Sequence, residues 1–328
     1  MKGLTARRAR ERGLEDADIA TARARLREEF EKVPEALQVF LMPERTDLSA
    51  DDPQMTFEVS LYIWLGTSET GEGGRAPYGR RKEQTLSQAQ EYINSRLVTD
   101  LADSRPDFIE FFLPYRLVCC EVDQWPYKMD VAMPFAPLLG AEFPVAIRSY
   151  DRMLQRALRE NAKKRWPFEP AGAAPAGVRV TMCWLEHRQQ TEEQLYKALR
   201  AGDRAPCLVL GVPAGPEAYQ VWRASVWAGV SIGVWLRSGA RSPWDARALL
   251  CGLLTGQPIG EPAGAGGASY TASHVCPIDL PLEALRDLPR RVYRARQRDP
   301  NLCPCLTLCW DDPYRLPPVG WQVSPGTG

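Results

Sequence analysis

The chain has 328 residues, 45% of them hydrophobic, and its 41 basic side chains balance 41 acidic ones. Zero net charge supplies no general attraction to phosphates or anionic lipids, which argues against a general nucleic-acid or membrane-surface binder. No run of about 18 apolar residues is present, and the first 32 residues lack the apolar segment of a signal peptide. We therefore expect a cytoplasmic protein without a membrane-spanning helix.

The first segment, residues 1–34, is predicted to form a charged amphipathic helix. Its first 32 residues include nine basic and seven acidic side chains. Apolar residues recur at steps of three and four, namely Ile19, Ala22, Leu26, Phe30 and Val33. Because charge-rich helices are usually solvated, docking on its own domain is the favoured interpretation. Partner binding or self-association through residues 14–33 is the alternative.

A β-hairpin is predicted next, from residues 36–42 and 56–65. In its second strand Phe57, Val59 and Leu61 begin an alternation of period two. We therefore expect one face of the hairpin to be buried and the other to be partly solvated.

The region after the hairpin divides into a loop and a helix. Residues 66–84 have five glycines and no apolar periodicity, so a mobile, poorly ordered loop is predicted there, with Arg80, Arg81 and Lys82 near its end. Thr85 and Gln88 form a capping box, and the apolar spacing after it predicts a helix over 86–101.

From about residue 140 short apolar strands alternate with helices. Strands are predicted at 143–149, 178–185, 207–212, 230–236 and 305–310, and helices at 150–166, 191–202, 216–228, 243–255 and 281–298, the last interrupted at Pro289. This alternation predicts an α/β fold with a layered, mostly parallel sheet flanked by helices. The hairpin and first helix form an N-terminal α+β extension. We expect a single domain over 36–320, divided into 36–135 and 140–312, and a tail over 321–328.

Motifs for nucleotides and metals are missing from the sequence. No GxxxxGK[ST] or GxGxxG pattern occurs, and the turn GVPAGP over 211–216 has prolines in place of glycines. The CPC run at 303–305 and Cys309 have no second ligand pair at zinc spacing. We therefore expect no cofactor and no structural metal.

Polar residues at the predicted strand ends are candidates for a ligand site. The carboxyl ends of parallel strands form a common crevice, and the residues there are Arg148, Ser149, Glu186, His187, Arg237, Asp311 and Asp312. The competing interpretation is that Asp311 and Asp312 satisfy backbone amides in a turn before Pro313. His187 and His274 lack the GxSxG context of a nucleophile.

Three segments resemble signature blocks of a known family. They are IEFFLPYRLVCCEVDQWPY at 109–127, FPVAIRSYDRM at 143–153 and LTLCWDDPYRLPP at 306–318. In order and spacing they are similar to the C-terminal domain of vWA-MoxR-associated proteins, over about residues 36–320. The matching motif positions are Glu110, Phe111, Pro114, Asp123, Trp125, Arg148, Ser149, Trp310, Asp311, Asp312 and Arg315.

The resemblance implies a role in NTP-dependent bacterial conflict systems, which defend against invaders. Its implied partners are a MoxR-type AAA+ ATPase, a von Willebrand factor A (vWA) protein and an effector module. Family members usually place this domain behind effector or effector-associated domains. Only the charged lead segment precedes it here, so three alternatives are open: a complete adaptor, a stand-alone variant that acts in trans, or a domain excised from a longer protein.

Two functions remain open from the sequence. The favoured one is a non-enzymatic adaptor or scaffold, since no complete catalytic motif is present. The alternative is a divergent metal-dependent hydrolase or nuclease, whose candidate residues are Glu110, Asp123, Arg148, His187, Asp311 and Asp312.

Overall fold

The structure is a computed structural model that describes residues 36–44, 55–65, 74–99, 105–118, 120–128, 135–167, 179–185, 191–201, 207–210, 216–236, 250, 252–253, 278–281, 285, 288–299 and 306–314. Its strands are β1 (Ala36–Pro43), β2 (Phe57–Leu65), β3 (Gly74–Gln84), β4 (Phe108–Leu113), β5 (Val145–Ser149), β6 (Arg179–Leu185), β7 (Cys207–Leu210), β8 (Ile232–Leu236), β9 (Ile278–Pro281) and β10 (Leu306–Trp310). Its helices are α1 (Leu86–Thr99), α2 (Leu139–Glu142), α3 (Tyr150–Leu154), α4 (Arg156–Arg165), α5 (Glu192–Ala201), α6 (Pro216–Ala228) and α7 (Leu288–Arg298).

The described strands form one mixed sheet, in the order β3-β2-β1-β4-β5-β10-β8-β7-β6-β9. Strands β1, β4, β5 and β10 are parallel to one another, and β8, β7 and β6 form a second parallel group. Because β10 pairs with β8 in antiparallel fashion, the two groups run in opposite directions. The predicted α/β class, with a mostly parallel sheet and flanking helices, is confirmed.

The predicted N-terminal hairpin is present and continues this sheet. Strands β1 and β2 pair in antiparallel fashion, and β1 also pairs in parallel with β4. Phe57, Val59 and Leu61 are buried, as the alternation predicts. The opposite face is more covered than expected, because Tyr62 packs into a second small cluster with Phe40 and Phe112.

The loop predicted over 66–84 is wrong for its second half. Residues 74–84 form β3, which pairs with β2 through two register shifts. The absence of apolar periodicity was misleading here because β3 is the outermost of the described strands on that side. Arg80 reaches Glu58 on β2 with two hydrogen bonds of 2.7 and 2.8 Å, so polar cross-strand pairs replace apolar contacts.

Helix ends follow local sequence signals. Both predicted capping boxes form, with Thr85 and Gln88 exchanging hydrogen bonds before α1, and Thr191 and Gln194 before α5. The helix predicted over 150–166 is divided at Gln155 into α3 and α4, because Gln155 has an extended backbone with φ −106° and ψ 110°.

A glycine follows the end of α6, and a proline lies in the first turn of α7. Gly229, with φ +89°, follows α6, and the amide of Val230 bonds back to the carbonyl of Ser225 at 2.9 Å. This is a Schellman ending. Pro289 is the second residue of α7, where a missing amide donor costs no helical hydrogen bond. Strand β9 at 278–281 was not predicted.

The main core lies between the sheet and its helices. It joins apolar side chains of β1, β2, β4 and β5 to those of α1, α5 and α6. The lead segment 1–34, the tail 321–328 and most of the predicted helix at 243–255 lie outside the described residues. Within the described part of the chain, no helix is long and apolar enough to cross a membrane. The expected domain boundaries stay a prediction.

Candidate functional site

Arg148 is the centre of a buried charge cluster. It lies on β5 opposite Phe112 of β4 and is fully buried. Its Nη1 lies 3.2 Å from Oε1 of Glu110, and its Nε lies 3.5 Å from Oδ1 of Asp311. Its Nη2 also donates to the backbone carbonyl of Asp312. Burial alone would lower the pKa of Arg148, but the carboxylates of Glu110 and Asp311 outweigh burial, and the pKa is raised.

A second buried arginine, Arg152, completes the cluster. Its Nη1 donates to Oδ2 of Asp311 at 2.6 Å and to Oγ of Ser231 at 3.1 Å. Its Nη2 donates to the carbonyl of Val230 at 2.8 Å. Gln38 of β1 closes the other end by donating to Oε2 of Glu110 at 2.6 Å. We call the set Gln38, Glu110, Arg148, Arg152, Ser231 and Asp311 the arginine cluster.

The arginine cluster links elements that are distant in sequence. Its members come from β1, β4, β5, α3, the residue before β8 and the residue after β10. Two carboxylates face two guanidinium groups, so the buried charges compensate one another. Removing one partner from such a pair leaves an uncompensated buried charge, which costs about 3–5 kcal/mol.

Asp123 and Trp125 belong to a separate buried site. Asp123 lies in a 3-10 turn over 122–124, and its Oδ2 accepts from Nη2 of Arg296 on α7 at 2.7 Å. Arg296 also donates to the carbonyl of Leu306 at 2.7 Å. Gly140 permits this approach, because a Cβ there would lie 2.9 Å from the Asp123 carbonyl oxygen. The Trp125 ring packs edge-on against a β4 aromatic ring at 5.5 Å.

Other predicted motif positions have local roles. The Ser149 hydroxyl caps α3 by accepting from the Arg152 amide at 3.2 Å. Oδ1 of Asp312 accepts from the Tyr314 amide at 2.9 Å, as expected for a turn. The Trp310 ring packs against that of Trp166 at 5.6 Å. Phe111 and Pro114 are buried. Five candidates lie outside the described residues, namely Glu186, His187, Arg237, His274 and Arg315.

The strand ends do not converge on one crevice. Strands β5 and β10 are parallel neighbours, so Arg148 and Asp311 both lie at the edge where the carboxyl ends of these strands meet. Strands β6 and β8 run the opposite way, so their carboxyl ends, before Glu186 and Arg237, lie at the other edge. The expectation of a single crevice assumed an all-parallel sheet.

Arg152 and Arg296 were missed as candidates, although the sequence has a signal for each. Arg152 lies within the sequence block at 143–153, from which only Arg148 and Ser149 were taken as motif positions. Arg296 continues the buried stripe of α7 formed by Leu288 and Val292, at a step of four residues. A charged residue in an apolar stripe indicates a buried partner.

The described residues contain no group of three or more His, Cys, Asp or Glu that could hold a metal ion. The hydrolase hypothesis placed Glu110, Asp123 or the pair Asp311 and Asp312 around a divalent metal, and it predicted that these carboxylates cluster. Instead Glu110 and Asp311 face arginines, and Asp123 pairs with Arg296 in the separate site. The geometry therefore gives this hypothesis no support.

Comparison with known families gives one match. A family model described as the vWA-MoxR associated protein C-terminal domain matches residues 56–313. The chain belongs to this family. The resemblance predicted from the sequence blocks is thereby confirmed. No curated protein matches the chain.

In this member of the vWA-MoxR-associated family, a cavity of about 810 Å³ lies beside the arginine cluster. Its walls come from the turn after β4, from α3 and from helices α5 and α6. The lining residues are Tyr115, Asp151, Gln155, Thr191, Glu192, Glu193, Tyr196, Arg223, Ala224, Val226 and Trp227. Asp151 directly precedes Arg152, and the Val226 carbonyl accepts from Arg152 at 3.4 Å, so the cluster and the cavity share a wall.

Charges in the cavity are distributed unevenly. Arg223 forms a two-pronged ion pair with Glu192, and its guanidinium lies 5.3 Å from the Tyr115 ring centroid. This hydrogen-bonded pair raises the pKa of Arg223. Asp151 accepts from the Tyr115 amide at 2.8 Å. Burial raises the pKa of the Asp151 carboxyl, and the nearby charge of Asp311 adds to this effect.

Proposed function

We propose that this protein is a non-enzymatic adaptor or scaffold in an NTP-dependent bacterial conflict system. It would link a MoxR-type AAA+ ATPase and a vWA protein to an effector. The family name associates its members with vWA and MoxR proteins. The adaptor role and the effector link extend that association.

The observation that supports this role most directly is the arginine cluster. Glu110 and Asp311, two of the charged motif positions, are 2% and 0% exposed and are engaged by arginines. Substrates do not reach carboxylates so enclosed. Glu110 and Asp311 therefore stabilise the fold. Partner recognition would then depend on residues exposed at the surface of the domain.

That surface exposes several large hydrophobic side chains. Among the described residues they are Phe135, Leu154, Trp227 and Tyr314. Trp227 is 48% exposed on α6. Leu154 is the last residue of α3 and directly precedes Gln155, which lines the cavity. Exposed aromatic residues of this kind are enriched at protein interfaces, where a few of them contribute most of the binding energy.

A pull-down combined with size-exclusion chromatography tests the proposal. The full chain is mixed with the MoxR-type ATPase and the vWA protein encoded beside it, with and without ATP. We expect a complex that depends on nucleotide. Phe135→Ser and Trp227→Ala should weaken it without changing the unfolding midpoint, while Glu160→Ala on α4 is the matched surface control. Failure to form a complex in either nucleotide state would contradict the adaptor role.

Deletion of residues 1–33 tests the lead segment separately. If the amphipathic stripe binds a partner or a second copy, the deletion should leave folding intact and weaken the complex or dimer. An unchanged complex would restrict the interface to the domain.

A further inference from the structure

The adaptor role leaves the cavity between α3, α5 and α6 unexplained. A volume of about 810 Å³ lies within the range of small-molecule sites. Its composition also resembles such a site, with aromatic and aliphatic walls and a few polar groups.

The polar groups of the cavity favour a positively charged ligand. Three carboxylates line it, from Asp151, Glu192 and Glu193, against the single guanidinium of Arg223. Glu192 already holds Arg223 through two hydrogen bonds, so that guanidinium fork is occupied. An anionic ligand would therefore meet two further carboxylates, and the one cation among the described lining residues, Arg223, is already paired.

Of these carboxylates, Asp151 is placed to act as a counter-ion. Glu193 is mostly exposed and pairs with Lys197 at 2.6 Å. No ion pair involving Asp151 is present within the described part of the chain, and its Oδ2 accepts from a backbone amide. Burial raises the pKa of Asp151 and outweighs the opposing effect of Arg116, whose guanidinium lies 5.9 Å from the Tyr115 ring centroid. The charged form of Asp151 is therefore electrostatically unfavourable, and a bound cation would relieve this cost.

The aromatic walls also suit a cation. The guanidinium of Arg223 lies over the rings of Tyr115 and Tyr219 at 5.3 and 5.8 Å, and that of Arg200 lies over Tyr196 at 5.8 Å. The protein thus uses aromatic rings as cation platforms on two sides of the cavity. Trp227, the residue type with the strongest attraction for cations, is half exposed on a third side.

We propose that this cavity binds an organic cation whose ammonium or guanidinium group pairs with Asp151 and whose apolar body packs against Trp227 and Tyr115. The cation belongs either to an arginine or lysine side chain of a peptide or to a free small amine. The chemistry of recognition is the same for both sources. The inference does not depend on the adaptor role, so its failure would leave the pull-down result intact.

The test uses the full chain labelled with 5-fluorotryptophan and observed by ¹⁹F NMR. The Trp227 resonance is assigned by its loss in Trp227→Phe. The probe is N-acetyl-arginine methylamide, and its neutral counterpart is N-acetyl-citrulline methylamide. We expect the arginine probe to shift the Trp227 resonance with saturation and the citrulline probe to leave it in place. Equal shifts with both probes, or no shift with either, would overturn the proposal.

Variants then assign the counter-ion. Asp151→Asn keeps an acceptor for the Tyr115 amide but removes the charge. It should weaken binding of the arginine probe by about 10-fold to 100-fold, the range for losing a hydrogen bond to a charged group. Glu160→Gln removes an exposed charge on α4, outside the cavity lining, and should change binding less than threefold. Equal losses in the two variants would overturn the role of Asp151.

A third comparison separates the two sources of the cation. The pentapeptide Gly-Leu-Arg-Leu-Gly and benzamidine are titrated in parallel against the unmodified chain. Tighter binding of the peptide than of N-acetyl-arginine methylamide supports a peptide side chain as ligand. Tighter binding of benzamidine, a free amidinium, than of the pentapeptide supports a free small cation as ligand. Failure of both cations to bind would contradict the site.

Discussion

Asp311 is fully buried and Asp151 is half-buried, and the two carboxylates follow the neighbouring strands β10 and β5. Asp311 lies between two arginines, with one oxygen 2.6 Å from Arg152 and the other 3.5 Å from Arg148. Asp151 accepts a backbone amide and lines an open cavity. A charge that is compensated internally contributes to the fold. One that is left partly uncompensated is available for binding.

The largest effect is expected from Asp311→Ala, which would break the compensated side of this comparison. Arg152 would lose its carboxylate partner and Arg148 would keep only Glu110, so two fully buried guanidinium groups would be under-compensated. We expect the free energy of unfolding to fall by about 3–5 kcal/mol. Urea unfolding followed by circular dichroism measures this loss.

Glu160→Ala is the control for that measurement. Glu160 forms an exposed pair with Lys163 at 3.2 Å, so its loss should cost less than about 0.5 kcal/mol. Similar losses in the two variants would mean that the arginine cluster does not stabilise the fold.

A smaller effect is expected from Gly229→Ala, which sharpens the comparison by moving the backbone that Arg152 contacts. Gly229 has φ +89°, and a Cβ there would lie 2.7 Å from the carbonyl oxygen of Asn161. We expect a loss of about 1–3 kcal/mol, visible as a lower midpoint in thermal unfolding. Gly233→Ala is the matched variant, since its Cβ would meet nothing closer than 3.4 Å. A larger loss at Gly233 would contradict this account.

The smallest effect, and one of opposite sign, is expected from Asp151→Asn. Burial raises the folded-state pKa of Asp151 above its unfolded value, so the folded chain binds the proton more tightly. Stability from this group therefore decreases as pH rises from the unfolded pKa through the folded one, and the cost is complete above both. Removing the charge should stabilise the chain at pH 7 by about 0.5–1 kcal/mol.

The pH dependence of unfolding checks this sign. The difference in stability between Asp151→Asn and the unmodified chain should shrink as the pH is lowered through the folded-state pKa of Asp151. A variant less stable than the unmodified chain at pH 7 would show that Asp151 contributes to the fold, as Asp311 does.

The sequence was sufficient to predict the fold class, since most strands and helices have strong local signals. The capping boxes at Thr85 and Thr191 and the glycine after α6 depend on residues close in sequence, and they form as expected. Strand β3 was missed because its stability comes from pairing with β2, and such pairing leaves little pattern in a polar edge strand.

The site was predictable only in part. Sequence blocks identified Glu110, Arg148 and Asp311, which the structure brings together. They did not show that these groups neutralise one another, because the partners Gln38 and Arg152 contact them across up to 159 positions of sequence. The cavity was not predicted, since its walls come from four elements that meet only in the folded chain.

The cationic edge of the sheet affects how copies of the chain meet. Among the described strands β3 is the outermost on one side, and the outer edge of such a strand is a template on which a foreign strand can add. Arg80, Arg81 and Lys82 are exposed along it. Two such edges repel each other, which opposes growth of the sheet into a polymer. Salt at about 1 M shortens the reach of this repulsion to about 3 Å, so crowded, salty solutions are the conditions in which the edge is least protected.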